Sequence, residues 1–596
     1  MSVSLRHRAL PTCVAGLAVI VALLGNASSG QSQTVTANFG SRSGSTPAVP
    51  SGLFAVGGVG VDVTAQGPVS TLTSAGVTGT RFWIPLQQIY ATSTPNFSIL
   101  DAQLKNISAA GLHPVGVIYD TLPSLGSSAC GAPSNVATWG KMAASVVANV
   151  DQKYPGLLQD YEIWNEPELA TSLCISDATT RLSTYVSMFA AAASAMHAQA
   201  QADGQTIRTG GPVISQMSQA STWLPALLDN SSTAPYVDFV SFHLYITGQT
   251  NIDDGMTWSS LYTITQSSTQ GLAHFYQMIE SLVRAGKQPN AVSTPIYVSE
   301  YNDNWAYAVD CCRNDRTYAP LWNSVAVADF LNTVYSGASA GPSRLAYFNA
   351  VGSYFCIMGA YDADMDCNPS QTYLYPQFYA FALFASPSYL NLQGGGHMAV
   401  SVSPASTTSG LSATAFYTSS GDDVVIINPT STSYSSVNVT LANPGLTSAT
   451  GTMYLLNSTN ADIASQSVSL SSVSGGYSTT VTVPAYSTVA VSLKGTNQTG
   501  AATTTPPPAS STDAPSAILT VTPTAGSLVV SVDSSKSTGG GSAIVGRTIA
   551  FGDGTWLNWT PTTTHTYSKA GTYTVVLTVK NQSGQATSAS STVTVN

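Results

Sequence analysis

Tyr161-Glu162-Ile163-Trp164-Asn165-Glu166-Pro167-Glu168 is an apolar run that ends abruptly in an Asn-Glu pair and a proline. Pro167 lacks the N–H that a ladder needs, so the strand stops there and leaves Glu166 at its carboxyl end. A second run, Ile296-Tyr297-Val298-Ser299-Glu300-Tyr301-Asn302, strands Glu300 in the same way. Outward from these two segments, β-branched runs alternate with longer helical patterns. Strands are predicted at 53–58, 79–84, 113–119, 158–164, 206–213, 239–245, 295–300 and 344–350, and helices at 136–153, 181–202, 326–336 and 375–384. Such alternation builds a parallel sheet, and eight strands fit a closed (β/α)8 TIM barrel. A doubly wound open sheet is the alternative, but no GxGxxG or phosphate loop accompanies a strand–helix join.

In a barrel the carboxyl ends of the strands form the active-site face. Glu166 on the fourth strand and Glu300 on the seventh then look into one cleft. Two carboxyls so placed suit glycoside hydrolysis, one protonated to assist the leaving oxygen and one ionised to meet the oxocarbenium-like centre. Each residue has a plainer reading: Glu166 as a carboxylate at a helix start, Glu300 as an ion-pair partner of Arg81, His243 and Tyr245 as core residues. Glu162 shares the parity of Glu166 but sits mid-strand below that face, and Glu168 lies beyond the motif; neither is expected to be catalytic. Trp258 and Trp305, in loops after strands, are candidates either to stack on sugar rings or to cover loop cores. The one GxSxG match, Gly337-Ala338-Ser339-Ala340-Gly341, follows a helix and precedes a strand, the reverse of a nucleophile elbow.

Trp164-Asn165-Glu166-Pro167 with Ser299-Glu300 resembles the clan A retaining glycoside hydrolases, most nearly family 39, the β-xylosidase and α-iduronidase type. The likeness extends to Val35–Phe39 with Val49–Val56, to Val237–Tyr245, and to Tyr375–Phe384, and covers roughly residues 35–495. The resemblance implies that Glu166 is the general acid/base and Glu300 the nucleophile, that Asn165 holds the sugar 2-hydroxyl, and that His243 and Tyr245 line the cleft. It also implies that Arg81 keeps the nucleophile ionised, as a nearby cation would. Trp83 stands where family members often carry histidine, and the eighth strand offers Tyr347 and Asn349 where many clan members show tryptophan. Trp83 and Trp305 complete the expected substrate-binding set.

The rest of the chain divides by composition. Residues 1–30 have a basic start, an apolar run Val14–Leu24 and then small residues, the pattern of a signal peptide, and the run is too short to span a membrane. The barrel is placed at 31–390 with an N-terminal strand that joins the following sandwich. Residues 391–494 lose the helical period and read as an antiparallel β-sandwich; 495–516 form a Thr/Pro-rich linker; 517–596 return to strands. In the last segment Phe551-Gly552-Asp553-Gly554-Thr555 and Thr564–Val575 resemble a PKD-type immunoglobulin-like repeat. It is expected to act as a spacer or to touch glycan or a cell surface, with Trp556 and Trp559 as candidates for that contact. Of the seven cysteines, Cys13 falls within the leader; the others suggest disulfides in an oxidising compartment, with Cys130–Cys174 and Cys356–Cys367 favoured.

Across 596 residues, 19 Lys+Arg stand against 29 Asp+Glu, a formal net charge of −10 that does not favour nucleic acid. Only 8% of residues are charged while 43% are hydrophobic, which excludes general disorder and leans toward neutral sugars as substrates. No CxxC pair or HExxH occurs, so neither a metal nor an organic cofactor is expected. The sequence thus predicts a secreted, monomeric glycosidase acting on carbohydrate without membrane insertion. A non-catalytic, carbohydrate-binding barrel is the alternative, though it has no need of both glutamates with Asn165 and Arg81.

Overall fold

The computed structural model describes residues 33–40, 51–57, 72–247, 258–303, 321–329, 332, 341–348, 358–359, 373–374, 376–393, 395–403, 410–418, 421–444, 446–457, 463–497, 515–540, 544–551, 556–558, 562–567, 569–581 and 586–596. Trp305, Asn349, Trp559, Cys311, Cys312, Cys356, Cys367, the leader and the linker core lie outside them.

Strand β1 (Gln33–Asn38) precedes eight parallel strands: β2 (Ala55–Gly57), β3 (Gly79–Pro85), β4 (His113–Tyr119), β5 (Asp160–Ile163), β6 (Arg208–Ile214), β7 (Phe239–Tyr245), β8 (Ile296–Asn302) and β9 (Arg344–Phe348). Each pairs with the next and β9 closes on β2, so the open-sheet alternative is excluded. Helices such as Val136–Lys153, Ala178–Ala202 and Leu272–Ala285 pack outside, burying one apolar face each. Asn135 and Asp177 cap the first two, each carboxamide or carboxylate oxygen accepting a backbone N–H from the first turn.

Alternation along β7 turns Phe239, Ser241, His243 and Tyr245 to one side of the strand. Phe239 stacks on Tyr297 at 4.3 Å and, with Val115, forms an apolar plug. At the amino-terminal end Asp160 accepts from Arg208 Nε at 2.6 Å and from Arg344 Nη2 at 2.8 Å. That end is held by ion pairs and packing, which leaves the carboxyl end for chemistry.

Strand β1 pairs antiparallel with Gly396–Ser403 and parallel with Tyr434–Ala442, so it belongs to the sandwich, a ten-stranded sheet folded around Val35, Ala37, Val424, Ile426, Val439 and Val491. The sandwich abuts the barrel: Phe416, Val425 and Ile427 share one apolar cluster with Phe381 and Phe384 of the helix Pro376–Ala385. Trp258, one of the candidates for sugar stacking, is 2% exposed and donates its indole N–H to the carbonyl of Pro429. It is a tether between barrel and sandwich, because its ring has no free face to offer a ligand. The C-terminal segment forms a three-stranded and a four-stranded sheet around Val530, Val532, Phe551, Tyr567, Val575 and Leu577. Cys130 and Cys174 are disulfide-bonded, as expected, and join the loops that follow β4 and β5.

Candidate active site

Glu166 follows β5 on a backbone that turns sharply. Trp164 and Glu166 both lie in the left-handed region, with φ of 69° and 45°, a conformation that costs a non-glycine residue free energy unless its surroundings impose it. Here they do. Trp164 is fully buried and its indole donates to Ser172 O at 3.2 Å, Ser172 Oγ donates to the Asn165 carbonyl, and Glu166 N donates to Val213 O at 3.1 Å. Val213 is itself left-handed at 58°, and Asp120, at the end of β4, at 62°. The strained residues cluster around one rim of the barrel.

Glu300 reaches the same place from β8. A register shift between Phe242 and His243 sets Glu300 opposite His243, so both side chains serve the cleft. Each carboxylate oxygen of Glu300 accepts a bond: Oε1 from Arg81 Nη1 at 2.6 Å and Oε2 from the Tyr245 hydroxyl at 2.5 Å. His243 Nδ1 lies 2.8 Å from Glu166 Oε1 and 3.4 Å from Glu300 Oε2. One carboxylate oxygen each from Glu166 and Glu300 and a ring nitrogen of His243 all fall within 4.8 Å of one another.

Arg81, 3% exposed on β3, spends its guanidinium on three partners: Nη1 on Glu300, Nη2 on Asn165 Oδ1 at 2.9 Å, and Nε on Glu162 Oε2 at 2.6 Å. Burial pulls its pKa down, but the Glu162 and Glu300 carboxylates outweigh burial and the net shift is upward. Burial raises the Glu166 carboxyl above its ordinary range, with Ser215 and Arg81 opposing. Burial also lowers His243, against the pull of Glu300, and pushes the Tyr245 hydroxyl far up. The result is a neutral imidazole, a protonated phenol that donates, and one glutamate biased toward holding its proton.

Of the residues expected from sequence, Glu166, Glu300, Asn165, Arg81, His243 and Tyr245 converge within one hydrogen-bonded cluster. Trp83 stands at its side, half-buried, its ring edge-to-face with Tyr119 at 4.7 Å and 5.5 Å from the Arg81 guanidinium. Tyr119 in turn lies 4.9 Å from Trp164, so an aromatic wall runs beside Glu166. Tyr119 and Glu162 were not expected in the site. Glu168 accepts from Ser215 N at 2.6 Å and Gln216 N at 2.9 Å and so ties the loop after β6 to the Asn-Glu-Pro turn. Glu166, His243 and Glu300 are also the group whose spacing could hold a cation, but the atoms concerned already bond one another, Arg81 and Tyr245.

Residues 99–386 match the profile of glycosyl hydrolases family 39, and residues 512–596 match that of the PKD domain. No curated protein matches in sequence. Among solved structures, the bacterial orthologue of human α-L-iduronidase aligns with 94% of this chain and 99% of its own at a TM-score of 0.55 and 12% identity. A monomeric β-xylosidase from Caulobacter crescentus aligns over 78% and 99% at 0.54 and 14%, and a family 39 enzyme from Xanthomonas axonopodis pv. citri over 78% and 97% at 0.54 and 12%. At these identities the structural likeness is one of fold.

Proposed function

We propose that this retaining glycosidase, whose residues 99–386 match the profile of glycosyl hydrolases family 39, uses Glu300 and Glu166 to perform the double displacement on an O-glycoside. Glu300 attacks the anomeric carbon while the proton of Glu166 passes to the departing oxygen; Glu166 then removes a proton from the water that releases the sugar from Glu300. The observation that carries this reading is that one oxygen of each carboxyl lies within 4.8 Å of one of the other, with His243 Nδ1 at 2.8 Å from Glu166 Oε1 and 3.4 Å from Glu300 Oε2. Retaining sites hold them about 5–5.5 Å apart, whereas an inverting site needs room for a water at about 6.5–9.5 Å. The raised Glu166 and the doubly bonded Glu300 divide the labour between acid and nucleophile.

Asn165, held by Arg81, is assigned to the sugar 2-hydroxyl, and Trp83 with Tyr119 to the wall against which a ring stacks. The leader pattern and the disulfide support action outside the cell. Among the described residues no helix is long and apolar enough to cross a membrane. The low charge density favours neutral sugars, and the PKD domain serves as a spacer or glycan contact. The enzyme acts as a monomer.

The test is release of reducing ends from plant and microbial polysaccharides, and of phenol from aryl glycosides, by wild type, Glu300→Gln and Glu166→Gln. Hydrolysis that collapses in both variants supports the assignment and identifies the sugar. Hydrolysis of polysaccharide or of unactivated phenyl glycosides retained in either removes that residue from its role; dinitrophenyl glycosides leave without protonation and do not test Glu166 in this way.

A further inference from the structure

We propose that Glu162 is a positioning residue of this active site, holding Arg81 as a paired cation throughout the catalytic cycle. The inference rests on Glu300 being the nucleophile and adds a residue that neither fold nor motif assigns. Glu162 is fully buried inside the barrel, and its Oε2 accepts from Arg81 Nε at 2.6 Å. Among the described residues no group donates to its other oxygen, Oε1. A buried carboxylate with one oxygen left without a protein donor weakens the fold relative to an apolar residue of similar size. Such a local cost belongs where function requires it.

The requirement follows from the charges. Before reaction Arg81 lies between two carboxylates, Glu162 and Glu300. When the Glu300 oxygen bonds to the anomeric carbon and the glycosidic oxygen leaves with the Glu166 proton, the Glu300 carboxylate becomes an ester and loses its negative charge. Without Glu162 the covalent intermediate would leave a guanidinium that is 3% exposed with no carboxylate bonded to it, since the newly ionised Glu166 is bonded to His243 rather than to Arg81, a state costly in a dry interior. With Glu162 the pair stays neutral. The same contact fixes the guanidinium plane, so that Nη1 and Nη2 remain aimed at Glu300 and Asn165.

The test is a double-mutant cycle in the full chain with Glu162→Gln, Arg81→Lys and both, assayed on the nitrophenyl and dinitrophenyl forms of whichever glycoside in an aryl panel wild type hydrolyses fastest. Glu162→Gln is expected to lower kcat/KM about a hundredfold on both leaving groups with KM nearly unchanged, and the double variant to fall within about threefold of Arg81→Lys alone. Kinetics within about threefold of wild type, or losses that multiply in the double variant, would overturn the proposal. If the amide variant unfolds, Glu162→Asp, which keeps the charge but draws it back from Nε, is expected to show the same non-additivity. Glu300→Gln run alongside separates the two levels. Activity surviving in that variant, or no turnover of any glycoside by wild type, overturns the underlying reading, whereas a dead Glu300→Gln with an unimpaired Glu162→Gln overturns this inference alone.

Discussion

His243 Nδ1 stands 2.8 Å from Glu166 Oε1, so the imidazole and the carboxyl share a single proton-bearing contact at the mouth of the barrel. Burial lowers His243 and raises Glu166, which biases the shared proton toward the glutamate, as the proposed acid role requires.

This fixes the pH dependence. A carboxyl raised by burial keeps its proton above the ordinary glutamate range and loses it as pH rises through the raised value. Activity on glycosides with poor leaving groups is therefore expected to persist above that range and then fall along an alkaline limb. Dinitrophenyl glycosides leave without protonation and should lack the limb, as should Glu166→Gln on the same substrates. Rate–pH profiles for the two leaving groups provide the check; identical limbs for both would remove Glu166 from the acid role.

Tyr245 donates to Glu300 Oε2 at 2.5 Å and is fully protonated at any working pH. Tyr245→Phe keeps the ring and deletes the donor. It is expected to reduce kcat about a hundredfold, the scale for losing one preorganised donor, with an unchanged thermal midpoint. Steady-state kinetics beside calorimetry will show whether the loss is catalytic or structural.

The sandwich carries a separate pH effect. Asp423 is 1% exposed, and burial raises its carboxyl to about 7 from 3.8. A carboxyl whose folded value lies above its unfolded one contributes stability below the unfolded value and loses it as pH rises through the folded one. Wild type should therefore lose stability from about pH 4 to 7 through this group, and Asp423→Asn should flatten that part of the curve, raising the midpoint at pH 8 by about 2–4 °C. Calorimetry across pH settles the sign.

Cys130–Cys174 closes a separation of 44 residues between two loops at the rim of the cleft. Loop-closure entropy for that length is worth about 4 kcal/mol. Replacing both cysteines with serine is expected to lower the unfolding midpoint by several degrees and to lower kcat as well as raise KM, because the loop after β5 carries Glu166 and its Ser172 donates to the Asn165 carbonyl. Parallel melting curves and kinetics test both parts.

Much of this was legible in the sequence because barrel strands have simple limits. His113–Tyr119 and Phe239–Tyr245 fall where the apolar runs begin and end, whereas β5 stops at Ile163, four residues before the proline that was expected to end it. The tethering role of Trp258 was not legible: it was read as a loop residue but opens the helix Trp258–Thr265, and an indole there has the same sequence signature whether it faces a sugar or a neighbouring carbonyl. Glu162 was set aside because it sits mid-strand, below the active-site face. Parity places it inside the barrel, but only the three-way geometry of the Arg81 guanidinium reveals that Nε points down to it. The register shift that lifts Glu300 level with His243 also has no signal in composition or period.

The covalent bond between Glu300 and the sugar, on which the proposed double displacement turns, is open to detection by intact and peptide mass spectrometry. The enzyme would be incubated with the dinitrophenyl 2-deoxy-2-fluoro form of the sugar it hydrolyses. Stoichiometric inactivation and one fluoroglycosyl adduct on the peptide carrying Glu300, absent in Glu300→Gln, are expected. An adduct on another residue, or steady turnover of the ordinary glycoside with inversion at the anomeric carbon, would contradict the proposed double displacement.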